Sequence, residues 1–286
     1  MNAQRFTEQN LRRLGLLCAL GAMLAVSAIP STAVASQNTV ASQTEWKTDC
    51  PGKPTIVLVH GAFADASSWA DVIKRLQKQG YTVYAFANPI RSIAGDAEYL
   101  RYFLSTLTGP IVLVGHSYGG AVITNAATGN PNVKALVYIA AYALDEGETP
   151  TEANALGGGH SELGEHLILR PFPGGGTTDA DTYVDPAFFR ELFAADLPAK
   201  DVAVIAASQR PAAASVFVEP SGTPAWKAIP SWYLVAKDDH AIPPEAERFM
   251  ARRAGAHTVE ICSSHVAMVS HPGTVTELIL EATGCR

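Results

Sequence analysis

The stretch Gly115-His116-Ser117-Tyr118-Gly119-Gly120 decides how this chain is read. An apolar segment of strand character, Pro110 to Gly115, leads into it, and a helix-forming segment, Tyr118 to Thr128, leads out. A serine on such a strand-to-helix turn is pushed outward at the end of a sheet, and the glycines around it avoid clashes with the neighbouring strand and helix. At the start of a helix Ser117 also feels the positive end of the dipole, which favours negative charge on its oxygen. By itself the string is weak evidence, because a serine there also serves as an ordinary helix cap. A hydroxyl becomes nucleophilic only when a base takes its proton, so the rest of the chain has to supply a base and an acid to orient it.

Outward from this turn, short apolar runs alternate with amphipathic ones. Strands are predicted over Thr55 to His60, Tyr81 to Ala87, Pro110 to Gly115, Lys134 to Ala140, Ser231 to Ala236 and His257 to Cys262. Helices are predicted over Ser67 to Gln79, Ile93 to Leu107, Tyr118 to Thr128, Pro244 to Ala254 and Thr274 to Ala282. Apolar strands alternating with helices build an α/β fold, a mostly parallel doubly wound sheet covered on both faces. Between Ala141 and Ile229 the alternation gives way to Gly-rich stretches and short helical segments around Phe188, Val202 and Ala213. That segment, about 142–229, is predicted to be a helical cap inserted into a domain spanning 50–286, since so long a loop without structure is unusual.

Base and acid occur after the serine, each following a predicted strand. Asp239 opens Asp239-His240-Ala241-Ile242-Pro243, and His265 ends Ser263-Ser264-His265. Asp238 rivals Asp239, and His240 and His271 rival His265, but solvated or capping roles suit these three better. His60, His116, His160, His166 and His257 read as packed or surface histidines. An oxyanion formed by attack on a carbonyl needs two donors. Val57-Leu58-Val59-His60-Gly61-Ala62-Phe63 ends the first strand at a glycine expected to let the backbone turn, so that the Ala62 N–H meets that of Tyr118. Losing one such donor commonly costs about 3 kcal/mol of barrier.

With these motifs in hand, the chain resembles the α/β-hydrolase superfamily over residues 54–283, where nucleophile, acid and base follow in the order Ser117, Asp239, His265. Within it the resemblance is to the branch of plant methyl esterases, hydroxynitrile lyases and secreted bacterial, pyrethroid-hydrolase-like esterases. It implies a serine hydrolase without cofactor, with a Ser117-His265-Asp239 triad and a small helical cap. The lyases of that branch carry Thr where this chain has Gly61 and Lys where it has Val266, so no cation is present to stabilise departing cyanide. Haloalkane dehalogenases use an Asp where this chain has Ser117. The expected reaction is therefore hydrolysis of a small-molecule carboxylic ester with a hydrophobic or aromatic part. Phe172, Tyr183, Phe188, Phe189 and Phe193 are candidates for an apolar wall in the cap. A slow-turnover ligand receptor on the same scaffold, a lyase and a cofactor-free oxygenase are the alternatives.

The chain has 286 residues with a net charge of -6 and no concentration of Lys and Arg, which argues against a nucleic-acid partner. Near the first residue, Arg5, Arg12 and Arg13 precede an apolar run from Leu14 to Ile29, followed by Ala33-Val34-Ala35. The run is short for a membrane span and ends in a small-x-small pattern, so residues 1–35 read as a signal peptide and 36–49 as a polar leader. Export to a secreted or periplasmic location without stable membrane insertion follows, leaving a mature chain with a net charge of -8. It keeps Cys50, Cys262 and Cys285. On the expected fold Cys50 and Cys285 fall at the same end of the sheet and are predicted to form a disulfide, with Cys262 a free, buried thiol. Asp179, Asp181 and Asp185 are spaced for a hard cation, but turn and cap roles explain them as well, and no metal is expected.

Overall fold

The computed structural model describes residues 52–173 and 179–285. The expected signal peptide, the leader and Cys50 lie outside the described residues. Six strands form one sheet, all of whose pairings are parallel: β1 (Thr55–Val59), β2 (Val83–Phe86), β3 (Ile111–Ser117), β4 (Val133–Ala141), β8 (Ser231–Ala236) and β9 (His257–Ile261). Their spatial order is β2-β1-β3-β4-β8-β9. All seven residues of β3 and eight of the nine in β4 are buried, which is why these strands read as unbroken apolar runs.

Helices cover the sheet: α1 (Ala70–Lys78), α2 (Ile93–Ser105), α3 (Tyr118–Ala126), α7 (Pro244–Arg253), α8 (Ala267–Ser270) and α9 (Pro272–Ala282). Where a helix was expected to begin at Ser67, a 3₁₀ turn over Ala66–Trp69 comes first. The Asp65 carboxylate caps it through the Ser67 N–H at 2.7 Å. Every residue of α3 is buried, so the helix after Ser117 runs through the core and is held on all sides.

The chain leaves β1 toward β2 and returns to place β3 on the other flank of β1. In an open α/β sheet, such a reversal leaves a crevice beyond the carboxyl ends of the two strands, the usual place for a ligand. Gly61 follows β1 and Ser117 ends β3, so the two sequence motifs meet at that crevice.

Between β4 and β8 lie α4 (Pro150–Ala153), β5 (Leu167–Arg170), β6 (Asp181–Val184), α5 (Phe189–Phe193), α6 (Ala199–Ala207) and β7 (Ala212–Ala213). The cap was expected to be helical, yet it also contains a three-stranded antiparallel sheet in the order β5-β6-β7. Four-residue runs such as Leu167–Arg170 carry little periodicity of their own; pairing with distant partners makes them strands. The Gln209 amide reinforces the arrangement, accepting from the Val184 N–H and donating to its carbonyl, both at 2.9 Å.

Three further expectations need correction or placement. Cys262 is free but exposed, not buried, because β9 is an edge strand that ends one residue earlier. Asp179, Asp181 and Asp185 are each engaged by protein groups: Asp179 by the Ser215 amide and hydroxyl, Asp181 by Arg91, and Asp185 by the Ala187 amide. Among the described residues no helix is long and apolar enough to cross a membrane.

Candidate active site

Ser117 sits at φ 54° and ψ -125°, a backbone conformation that residues with side chains rarely adopt. Holding a non-glycine residue there costs on the order of 1–3 kcal/mol, so the surroundings must impose it. They do so by close packing. A Cβ at Gly115 would fall 2.6 Å from the Gly119 carbonyl oxygen, and one at Gly119 would strike the carbonyl oxygen of Val59. Ser117 makes no side-chain cap to α3, which leaves its hydroxyl uncommitted.

Gly61 faces the serine directly. A Cβ there would lie 2.6 Å from the Ser117 Cβ and 3.1 Å from its Oγ. The glycine expected to supply a turn is thus required for close approach, and the left-handed residue of that loop is Phe63, at φ 61°. Buried His60 anchors the loop. Its Nδ1 donates to the Gly61 carbonyl at 3.0 Å, and its Nε2 accepts from the Asn88 N–H at 3.1 Å. The Asn88 side-chain amide donates to the His60 carbonyl at 3.1 Å, and the Phe63 N–H donates to the Arg210 carbonyl at 3.1 Å. Ala62 lies within this braced turn. Tyr118 is the first residue of α3, so its N–H has no acceptor inside the helix. The Tyr118 hydroxyl donates to Asp96 at 2.9 Å, which fixes that end of α3 from the other side.

Asp239 and His265 meet although 26 residues separate them. The His265 Nδ1 donates to Asp239 Oδ2 at 2.6 Å, with both side chains buried. Asp239 Oδ1 accepts from the amides of Ala241 and Ile242 at 2.7 and 2.9 Å, so the carboxylate is oriented by its own loop. The rivals lie elsewhere: Asp238 and His240 are exposed, and His271 pairs with the Ser270 hydroxyl at 2.9 Å. His265 Nε2 is buried and makes no hydrogen bond to a described group, which leaves it open to take a proton.

His60 and His116, read as packed or surface histidines, are fully buried, whereas Glu247 went unnoticed in the sequence. The His116 Nε2 donates to the His265 carbonyl at 2.9 Å, and the two rings lie 4.7 Å apart. Burial, followed by the charge of His265, holds His116 well below its ordinary pKa; burial also lowers that of His60. Both environments favour the neutral imidazole. Fully buried Glu247, on α7, accepts from the Ala236 amide at 3.0 Å. Burial, and then the nearby Asp239 charge, push its carboxyl well above the usual range. The visible clue to His60 and His116 was their place immediately before Gly61 and Ser117. For Glu247 no sequence signal existed.

Of the aromatic candidates, Phe193 packs against the His265 ring with centroids 4.7 Å apart and Phe189 packs behind it at 5.0 Å. Phe188 instead stacks on His166, while Phe172 lies under Arg91 and Tyr183 under Arg170. Phe63 and Phe217, stacked at 6.1 Å, complete the apolar surroundings. One cavity of about 190 Å³ opens beside Phe63, Phe193 and Val266. A larger one of about 430 Å³ is lined by Tyr142, Asn154, His160, Leu163, Leu167 and Phe217. Among the described residues no cluster of three or more His, Cys, Asp or Glu is arranged to hold a metal ion.

Comparison with known proteins agrees with this architecture. An alpha/beta hydrolase of Aspergillus novofumigatus, nvfD, is 28% identical over 81% of this chain and 97% of its own length. A pyrethroid hydrolase of Sphingobium wenxiniae is 28% identical over 79% of this chain and 86% of its own. The crystal structure of polyneuridine aldehyde esterase superposes with a TM-score of 0.70 at 20% identity, covering 80% of this chain and 99% of that one. Residues 56–278 match the profile of the alpha/beta hydrolase family, and the chain belongs to that family of enzymes.

Proposed function

We propose that the protein is a secreted serine carboxylesterase. The observations that support this reading are the buried 2.6 Å contact of His265 with Asp239, which leaves Nε2 without a described partner, and the strained, uncapped Ser117 packed against Gly61. In the proposed cycle His265 takes the Ser117 proton as Oγ attacks the ester carbonyl, and the Ala62 and Tyr118 amides receive the oxyanion. His265 then protonates the departing alcohol. Water, deprotonated by the same imidazole, hydrolyses the acyl-enzyme and restores Ser117.

The aromatic rings of Phe63, Phe193 and Phe217 favour esters with a hydrophobic or aromatic part, and the similarity to a pyrethroid hydrolase supports the same preference. Secretion rests on the charged, apolar and small-residue pattern of residues 1–35. The Cys50–Cys285 disulfide belongs to the same proposal, as a clasp between the two ends of the mature domain. A panel of short-acyl, long-acyl, aryl and methyl esters tests the reading. Turnover should be measurable on the apolar members and fall by roughly a millionfold in Ser117→Ala. Multiple turnover that persists in that variant contradicts it.

A further inference from the structure

The segment between β4 and β8 touches each of the three loops that build the site. Its Arg210 carbonyl accepts from the Phe63 amide beside Ala62, and its Ser161 hydroxyl donates to the Ala241 carbonyl in the Asp239 loop at 2.8 Å. The third link has the most bonds. Asp196, three residues beyond the end of α5, receives the Ser264 hydroxyl on Oδ1 and the Ser264 amide on Oδ2 at 3.2 Å. The Ser263 hydroxyl also reaches Oδ2, at 3.3 Å. A single carboxylate of the inserted segment therefore gathers the two residues that immediately precede His265.

We propose that Asp196 is a positioning residue of the hydrolytic site, holding the His265 loop so that the imidazole keeps its place between Asp239 and Ser117. This inference rests on the esterase reading.

The geometry supports it from two directions. Phe193, the last residue of α5 and three positions before Asp196, packs against the His265 ring, so the inserted segment meets the ring by packing and the two residues before it by hydrogen bonds. A carboxylate accepting several N–H and O–H donors is a stronger and more directional anchor than a neutral acceptor. Although burial acts to raise its pKa, the Ser264 and Ser270 hydroxyls outweigh that and hold Asp196 below the usual carboxylate range, keeping the anchor charged. His271 stands 3.8 Å from Oδ2, on the outer side of the cluster. No sequence motif marks Asp196, which lies 68 residues from Ser264.

The test compares Asp196→Ala with Asp181→Ala on full-length protein and p-nitrophenyl acetate. Asp181 ties the same segment to Arg91, away from His265, so its loss reports attachment of the segment alone. Asp196→Ala is expected to lower kcat by roughly 100-fold, the scale of a catalytic group displaced by about 1 Å, with KM within about threefold. Asp196→Asn, which keeps one acceptor oxygen, should be intermediate. Asp181→Ala should stay within about twofold of the parent. In a double-mutant cycle Asp196→Ala with Ser264→Ala should lose less than the sum of the two, because both break one contact.

A second readout does not depend on turnover: the low-field proton resonance of the His265 Nδ1–H should be present in the parent and broadened or lost in Asp196→Ala. An unchanged resonance in that variant overturns the positioning role, as does equal loss of kcat in Asp181→Ala. If the parent shows no Ser117-dependent turnover of any ester, the esterase reading fails instead, and the resonance still decides whether Asp196 holds the imidazole.

Discussion

The sheet and the segment inserted between β4 and β8 meet at the same site but are built on different terms. β3 and the loops beyond the strands hold Ser117, Asp239 and His265 buried, with a left-handed serine imposed by glycines that have no room for a Cβ. The inserted segment relies on short elements, aromatic rings and a few side-chain hydrogen bonds, and exposes apolar residues such as Val204 and Val218. The sheet therefore fixes the chemistry, while the insertion shapes what reaches it and, through Asp196, steadies one member of it.

The largest expected break in that division comes at Gly61. Replacing it with Ala places a methyl group against Ser117, displacing the nucleophile and the adjacent Ala62 amide together. A fall in kcat/KM of roughly 100- to 1,000-fold is expected, the scale of a lost oxyanion donor, together with a loss of stability of about 1–3 kcal/mol from overpacking. A fully active Gly61→Ala enzyme would mean that the turn is looser than the packing described.

Stability should divide along the same line. Leu113, fully buried in β3, should lose about 2–5 kcal/mol on conversion to Ala in denaturant titrations. Val204 is 67% exposed on α6, and its conversion to Ala should stay within about 0.5 kcal/mol. Equal costs at the two positions would erase the distinction between core and insertion.

The smallest effect sharpens the account of Glu247. Its folded-state pKa is raised, by burial first and by Asp239 second, so folding favours its protonated form. That contribution is complete below the unfolded-state pKa of about 4.3 and is lost as pH rises toward the folded-state value, at up to about 1.4 kcal/mol per pH unit. Glu247→Gln, neutral throughout, should gain stability relative to the parent between pH 5 and 8 on the order of 1 kcal/mol or more. A constant difference across that range would show Glu247 to be charged in the fold.

What the sequence made legible follows the same contrast. Ser231–Ala236 was read to the residue because five of its six residues are apolar, as expected of a strand covered on both faces. Ser117 stood out because close packing demands glycine on both sides, and Asp239 and His265 because each follows a strand of the sheet, β8 and β9 respectively. The reason for Gly61 was misread, since crowding against a residue 56 positions away leaves the same mark as a turn. β5, β6 and β7 were missed because pairing, not periodicity, makes them strands. Glu247 and Asp196 were hidden because a polar side chain buried by tertiary contacts has no local pattern to distinguish it from a solvated one.

Mass mapping of a fluorophosphonate adduct tests the central claim most directly, since the probe needs an activated serine but no knowledge of the natural ester. The account predicts a single adduct on Ser117, formed rapidly by the parent and lost or greatly slowed in His265→Ala. An adduct on another serine, or one on Ser117 that forms equally fast without the imidazole, would contradict it.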